Sequence, residues 1–149
     1  MGAVKLQKIL WYFDARSYFS TGRTSTGAVY VKKEHGPYSY DIPRAIAALI
    51  KDRRLFADKD PDFYGLEKSV FVGKGETNIS IFEPTEIRWL DEITKDVCEN
   101  HTAASISERT HGRVWKLAEL GEEIPFAAVA IRFRPPSKET VERLKAELA

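Results

Sequence analysis

Hydrophobic positions near the amino terminus repeat with the period of an α-helix. Apolar side chains at i, i+3, i+4 and i+7 form one stripe, which consists of Leu6, Ile9, Leu10 and Phe13. The pattern predicts a helix over residues 3–20 that ends at Thr21-Gly22, because glycine readily takes the left-handed conformation that terminates helices. Trp11 and Tyr12 add apolar surface off the stripe. We therefore expect this helix to be central and packed on more than one side.

Further helix signals follow along the chain. A helix over residues 42–54 is expected after a cap at Ser39 or Asp41. Its predicted buried stripe consists of Ile42, Ala45, Ile46, Leu49 and Ile50. Later helices are predicted over residues 84–100, 102–109, 113–120 and 137–148. Residues 124–133 fit either a strand or a buried helix, so their structure is left open.

Strand signals are fewer and shorter. Alternating and β-branched residues predict a strand over residues 28–33, which Gly36-Pro37 is expected to break. Residues 64–72 and 78–82 are typical of two strands joined into a hairpin around Gly73-Lys74-Gly75.

The predicted fold class is α+β and mostly α-helical. It consists of one compact domain with the apolar N-terminal helix at its centre and a small antiparallel sheet or hairpin. The domain is predicted to span residues 1–134. Residues 135–149 are predicted to form a charged C-terminal helix, either part of the same domain or an appendage to it.

The composition fits a folded protein and argues against several classes of function. The chain has 149 residues, of which 43% are hydrophobic, enough to build a core. Its 23 basic and 22 acidic residues nearly balance, so the general attraction that drives binding to nucleic acids is missing. No segment has the pattern of a secretory signal or a membrane span. With Cys98 as its single cysteine, the chain is predicted to be a reduced cytoplasmic protein.

Residue types that serve catalysis or bind metals are present, but their spacing matches no known site. Gly73-Lys74-Gly75 lacks the spacing of a phosphate loop and is predicted to be a turn. The histidines lack the spacing of metal ligands, so we expect no metal, no cofactor and no catalytic residue. One alternative is a small hydrolase or nuclease that uses Glu34, His35 and His111, which requires these side chains to converge in a cleft.

A second alternative is a winged-helix DNA-binding regulator. In that fold a recognition helix carries exposed basic residues and is followed by a hairpin. The helix predicted over residues 42–54 has such residues, namely Arg44, Lys51, Arg53 and Arg54. Most of them lie in its last turns, where they also favour the helix dipole.

The order and spacing of several short motifs resemble a known family. The motifs are Lys5-Leu6-Gln7-Lys8-Ile9-Leu10-Trp11-Tyr12, Thr21-Gly22-Arg23, Gly27-Ala28-Val29-Tyr30-Val31-Lys32, Gly36-Pro37, Thr110-His111-Gly112-Arg113-Val114-Trp115 and Ile124-Pro125-Phe126. Over residues 4–130 the chain resembles the SocA-like antitoxin family, also called the Panacea domain. The resemblance implies a mostly helical fold with a small sheet. Structural roles are expected for Gly27, Gly36, Pro37, His111 and Trp115.

The resemblance also implies a function. Such domains are bacterial and phage proteins of toxin–antitoxin systems, and they neutralise diverse toxins by protein contact. One member is an adaptor that delivers its toxin to the ClpXP protease. We therefore expect a noncatalytic binding protein whose partner is a protein toxin, with an AAA+ protease such as ClpXP as a further partner.

A partner-binding surface is predicted next to the start of the second helix. It consists of Tyr30, Lys32, His35, Tyr38 and Tyr40. Tyrosine supplies a large contact area at low entropic cost, and lysine steers an approaching partner. The competing interpretation places Tyr30 and Tyr38 in the core.

Overall fold

The fold is given by a computed structural model. It describes the backbone of residues 1–61 and 67–130 and the side chains of residues 1–58 and 70–130. The elements are α1 (Ala3–Thr21), β1 (Val31–Lys33), β2 (Gly36–Tyr38), α2 (Asp41–Lys51), β3 (Leu55–Pro61), β4 (Glu67–Gly73), a 3-10 turn (Ile79–Ile81), α3 (Pro84–Asn100), α4 (Ala103–Arg109), α5 (Arg113–Leu117) and α6 (Phe126–Ala130). The expected fold class is confirmed, since helices predominate and the strands form two small antiparallel sheets. None of the helices in the described ranges is long and apolar enough to cross a membrane.

Helix α1 runs through the middle of the fold, as its apolar pattern predicts. It ends at Gly22, which has a left-handed φ of 78° and donates its N–H to the Tyr18 carbonyl at 2.8 Å. One hydrophobic cluster around α1 consists of Trp11, Ala15, Tyr30, Ile42, Ile124 and Phe126. A second cluster consists of Ile9, Val97 and Ile106. Because α1 contributes to both clusters, the expectation that it packs on more than one side is confirmed.

The first hairpin differs from the sequence prediction. Strands β1 and β2 pair antiparallel with Lys33 opposite Gly36, so residues 34–35 form the turn between them. The strand predicted over residues 28–33 begins only at Val31 and ends at Lys33 as expected, but Gly36-Pro37 begins the partner strand instead of leading directly into the helix. Gly36 has a φ of 97°, and a Cβ at this position would collide with the Thr110 hydroxyl. The site therefore requires glycine both for its backbone angle and for space.

The second hairpin joins different segments from those predicted. Strand β3 pairs antiparallel with β4 along its whole length. The prediction of a strand over residues 78–82 is wrong, because this segment contains the 3-10 turn. The Asn78 carboxamide oxygen accepts the Ser80 N–H at 3.1 Å, a local bond that competes with strand pairing. Gly73 is the last residue of β4 and lies opposite Leu55, so Gly73-Lys74-Gly75 is at the end of the hairpin instead of forming its turn.

Helix α2 is shorter and more exposed than predicted. It ends at Lys51, and Arg53 takes a positive φ of 56° that is incompatible with a continuing helix. Ile42 is the one buried member of the predicted stripe. The other members are half-buried or exposed, namely Ala45, Ile46, Leu49 and Ile50. The prediction of a fully buried stripe is therefore wrong, because much of this face borders an open groove.

The later helices lie close to their predicted positions. Helix α3 spans the predicted residues 84–100 and packs along α1. Helix α4 has the predicted cap, since the Thr102 hydroxyl accepts the Ser105 N–H at 3.1 Å. Helix α5 is shorter than predicted. The ambiguous residues 124–133 contain α6 in their described part, and the helix predicted over residues 137–148 lies outside the described residues.

Candidate partner-binding groove

An open groove lies between the first turns of α1, the β1–β2 hairpin and α2. Its volume is about 620 Å³. It is lined by Ala3, Val4, Gln7 and Lys8 of α1, by Lys33, Glu34, His35, Gly36, Tyr38 and Tyr40 of the hairpin region, by Ile42, Pro43, Ile46, Ala47 and Ile50 of α2, and by Phe71 of β4. We call this site the α1–α2 groove. Its size and mainly apolar lining are typical of binding sites.

Apolar side chains of the groove are open to solvent. Ile42, Ile46 and Ile50 follow one another at four-residue spacing, so they form a single ridge on α2. Ile50 is 40% exposed and Val4, on the opposite wall, is 39% exposed. Exposed apolar side chains that line a groove make it a candidate contact site for a partner.

Two polar side chains of α1 hold the hairpin region beside α1, where it forms part of the groove. The Gln7 carboxamide forms two hydrogen bonds with the backbone of Ser39, donating to its carbonyl and accepting its N–H, each at 2.9 Å. The Lys8 Nζ donates to the Pro37 carbonyl at 2.9 Å. These bonds satisfy backbone groups on the outer edge of β2 and fix its position relative to α1.

Lys8 is a buried cation beneath the groove. Its exposed fraction is 3%, and this burial lowers its pKa from 10.5 to about 8 because an ammonium loses hydration there. At neutral pH the side chain still carries its proton. A positive charge therefore lies under the hairpin end of the groove.

Aromatic rings and a second lysine form the hairpin end of the groove. The Tyr38 and Tyr40 rings meet edge to face with centroids 5.2 Å apart, and Tyr40 is 47% exposed. The Lys33 Nζ lies 5.2 Å from the centroid of the Tyr40 ring. The sequence-based prediction missed Lys33. Alternation along a strand puts Lys32 and Lys33 on opposite faces but does not tell which face borders the groove.

Lys32 points away from the groove, although it was predicted to lie in the partner surface. Its Nζ donates to the Ala118 carbonyl at 2.8 Å and lies 4.5 Å from the centroid of the Trp115 ring. These contacts tie β1 to the region of α5. We therefore assign Lys33, and not Lys32, to the candidate surface.

Tyr30 is a core residue, which corrects its placement in the predicted partner surface. Its exposed fraction is 1%, and its ring packs edge-on against Trp11 with centroids 5.0 Å apart. The Tyr30 hydroxyl donates to Asp14 Oδ2 at 2.9 Å. The pKa of Tyr30 is raised mainly by burial of its hydroxyl and, to a smaller extent, by the neighbouring Asp14 carboxylate. The side chain holds the loop before β1 to α1 and is not accessible to a partner in this fold.

Comparison with protein-family models matches residues 6–116 to the family described as antitoxin SocA-like, Panacea domain. The chain belongs to this family. The matched range includes the β1–β2 hairpin, α2 and two of the four groove-lining residues of α1, Gln7 and Lys8. Membership of an antitoxin family implies a toxin as the general class of partner. No curated protein and no solved structure gives a significant match to the chain.

In this Panacea domain the motif residues His111 and Trp115 contact each other within the fold, and Gly27 has a left-handed backbone. The rings of His111 and Trp115 stack with centroids 3.7 Å apart and planes 5° from parallel. Trp115 lies in α5, whereas His111 precedes it. The Trp115 Nε1 donates to the Lys33 carbonyl at 3.1 Å, and burial lowers the pKa of His111. Gly27, in the loop before β1, has a φ of 71°.

Of the three side chains of the hydrolase alternative, His35 lies near enough to His111 to lower the pKa of that imidazole further than burial alone does, but no hydrogen bond joins the two. Glu34 and His35 are exposed at the hairpin turn of the Panacea domain. Within residues 1–61 and 67–130, no hydrogen bond links either of them to His111 or to each other. The same ranges contain no group of three or more His, Cys, Asp and Glu side chains that could hold a metal ion. Glu34 and His35 line the α1–α2 groove instead.

Proposed function

We propose that this Panacea domain is a noncatalytic antitoxin that binds a protein toxin in the α1–α2 groove. The observation that carries the proposal is the apolar ridge of α2, which is half-buried at Ile46 and 40% exposed at Ile50, in a chain of an antitoxin family. Apolar surface gains about 25 cal/mol for each Å² that is removed from water. A toxin that covers the ridge therefore obtains binding free energy from surface that the free domain leaves exposed.

The proposed contact surface combines an apolar centre with a polar rim. Ile46 and Ile50 form the centre, and the rim next to them consists of Lys33, His35, Tyr38 and Tyr40. Protein interfaces commonly have this arrangement, with an apolar centre and a rim of polar groups to which water retains access. The rim keeps His35, Tyr38 and Tyr40 of the sequence-based surface.

Two routes from binding to neutralisation are proposed. In the first, the bound antitoxin covers the surface with which the toxin acts. In the second, the antitoxin is an adaptor that also contacts an AAA+ protease such as ClpXP in the cytoplasm and delivers the toxin for degradation. Both routes require the same stable contact between toxin and groove, so the groove is the part of the proposal that is tested first.

Co-expression with a candidate toxin, taken from the products of the genes adjacent to this one, tests the function. We expect the antitoxin to restore growth and to co-purify with that toxin. Neutralisation that persists in a strain without ClpXP indicates occlusion, whereas neutralisation that is lost there indicates proteolytic delivery. A chain that neither binds the toxin nor restores growth would contradict the proposal.

A variant at the hairpin turn separates binding from catalysis. Glu34→Gln removes the carboxylate that the hydrolase alternative requires and leaves the apolar ridge unchanged. Because Glu34 also lines the groove, toxin affinity is measured alongside neutralisation, and a noncatalytic antitoxin should protect cells in proportion to that affinity. A variant that still binds the toxin but no longer protects cells would favour the enzyme.

A further inference from the structure

We infer that the α1–α2 groove binds an amphipathic α-helix of the toxin, whose apolar stripe is flanked by acidic side chains. This inference rests on the proposed function and adds the chemistry of the partner. Three properties of the groove carry it: the shape of its walls, the hydrogen bonding of its backbone and the charge at its ends.

The walls of the groove fit a helix. The ridge from Ile42 to Ile50 extends along α2 for about 12 Å, because an α-helix rises about 1.5 Å per residue. That length corresponds to about two turns of a facing helix, whose side chains at i, i+4 and i+7 lie beside such a ridge. Val4 and Gln7 belong to the opposite wall, which is also helical. A groove between two helices accepts the ridge of a third.

The backbone of the hairpin does not favour the binding of an extended peptide, because its edge groups are already hydrogen-bonded. Strand addition needs free N–H and C=O groups along a sheet edge. At the groove side of β2, the Pro37 carbonyl accepts from Lys8, and both backbone groups of Ser39 bond to Gln7. The other edge of the hairpin bonds to the backbone after α5. A helix satisfies its own backbone hydrogen bonds, so it suits these walls better than a strand.

Basic groups lie at both ends of the groove. Lys33 borders the hairpin end and Lys8 lies beneath it, with Glu34 as the acidic residue among the lining side chains. At the other end, Ile50 is followed by residues 51–54, which contain one lysine, two arginines and one aspartate. Among the described residues, no ion pair neutralises either groove lysine. Acidic side chains beside the apolar stripe of a partner would complement this distribution.

The test uses the full chain as bait for a displayed library of amphipathic helices of about 16 residues, long enough to exceed the ridge. Leucine is fixed along one stripe, and the flanking positions vary among glutamate, glutamine and lysine. We expect the selected helices to be enriched about tenfold in glutamate over lysine beside the stripe. Selection without this enrichment, or selection of no helix, would overturn the inference.

Variants of the bait show where the selected helices bind. Ile50→Glu places a charge on the ridge and should weaken binding at least about tenfold. Ile81→Glu is the matched control, because Ile81 is 71% exposed and lies outside the groove lining. Lys33→Glu should shift the preference from glutamate towards lysine. Melting temperatures establish that each variant is folded, and equal binding to the parent and Ile50→Glu would overturn the inference.

Neutralisation of the toxin is measured separately, so the two proposals can fail independently. If folded Ile50→Glu and Ile46→Glu variants protect cells as well as the parent, the groove inference is wrong although the antitoxin function stands. If acidic helices occupy the groove but the neighbouring toxin is neither bound nor neutralised, the antitoxin function fails and the preference of the groove for acidic helices stands.

Discussion

Replacing Lys8 with methionine should stabilise the protein at neutral pH, even though it removes a hydrogen bond. The ammonium is 3% exposed, and its pKa falls from 10.5 to about 8 on burial. The folded protein therefore holds this charge less favourably than the unfolded chain does. Methionine has a similar unbranched shape and carries no charge to desolvate.

The expected magnitude follows from the pKa and the lost hydrogen bond. A decrease from 10.5 to about 8 corresponds to a penalty of about 3 kcal/mol, since each pKa unit is worth about 1.4 kcal/mol. Without Lys8, the Pro37 carbonyl loses its donor, which costs about 1–3 kcal/mol. We expect the Lys8→Met variant to gain up to about 2 kcal/mol in unfolding free energy at neutral pH.

The pH dependence gives the sharper result. Between about pH 8 and pH 10.5 the unfolded parent binds more protons at Lys8 than the folded parent, so the stability of the parent rises with pH relative to the variant. The burial penalty is complete below this window and absent above it. The advantage of the variant should therefore decrease by about 3 kcal/mol across the window.

Urea denaturation of parent and variant over this pH range measures the difference. Lys5→Met is a matched control, because Lys5 lies on the same helix but its bond to the Cys98 carbonyl is exposed. At neutral pH, Lys5→Met shows what the removal of a lysine with an exposed bond does to the stability of the same helix. A difference for Lys8→Met that does not vary with pH would refute the argument that the buried charge is penalised.

Further predictions concern stability and binding. Gly36→Ala should lower the unfolding free energy by about 3 kcal/mol, because the backbone is left-handed and the new Cβ would clash with Thr110. Gly27→Ala should lower it by only about 1 kcal/mol, because Gly27 is also left-handed but has open space around it. Equal losses in thermal denaturation would contradict the role of the Thr110 contact. Tyr30→Phe should cost about 1–2 kcal/mol in urea denaturation by removing the bond to Asp14, and an unchanged midpoint would contradict it. Elemental analysis should find no stoichiometric zinc, and one metal per chain would refute this expectation. Affinity for DNA should be weak and fall steeply with salt; nanomolar binding to one sequence at physiological salt would favour the regulator.

Helix positions were predictable because their signals are local. The apolar stripe and Gly22 predict α1, and the Thr102 cap predicts the start of α4. Periodicity and caps act within a few residues of one another, so they can be recognised without knowledge of the rest of the chain. The correct fold class follows largely from these local signals.

Strand pairing was less predictable because it depends on distant segments. The strand signal before Gly73 is real, but its partner is β3 and not residues 78–82. Gly36-Pro37 has the composition of a strand break, yet Lys8 and Gln7 supply hydrogen bonds that hold β2 beside α1. The pairing of β4 and the position of β2 therefore depend on residues that are distant from each strand in the sequence.

The candidate site was predicted only in part for the same reason. The hairpin region was located, but Tyr30 and Lys32 face the core and α5, whereas Lys33 borders the groove. The stripe of α2 was interpreted as core because an apolar helix face gives the same pattern whether the fold or a partner covers it. The missing information is the depth to which α2 sits against α1.

The way α2 is attached gives the groove walls of unequal stiffness. The wall formed by α1 lies on a helix whose other residues contribute to both hydrophobic clusters, so it moves only when much of the core is disrupted. The wall formed by α2 contacts the core through Ile42 and Ile46, while Ile50 at its end is 40% exposed. Local opening requires little free energy where few apolar contacts are lost. An arriving helix therefore meets one fixed wall that sets its orientation and one yielding wall that closes on it.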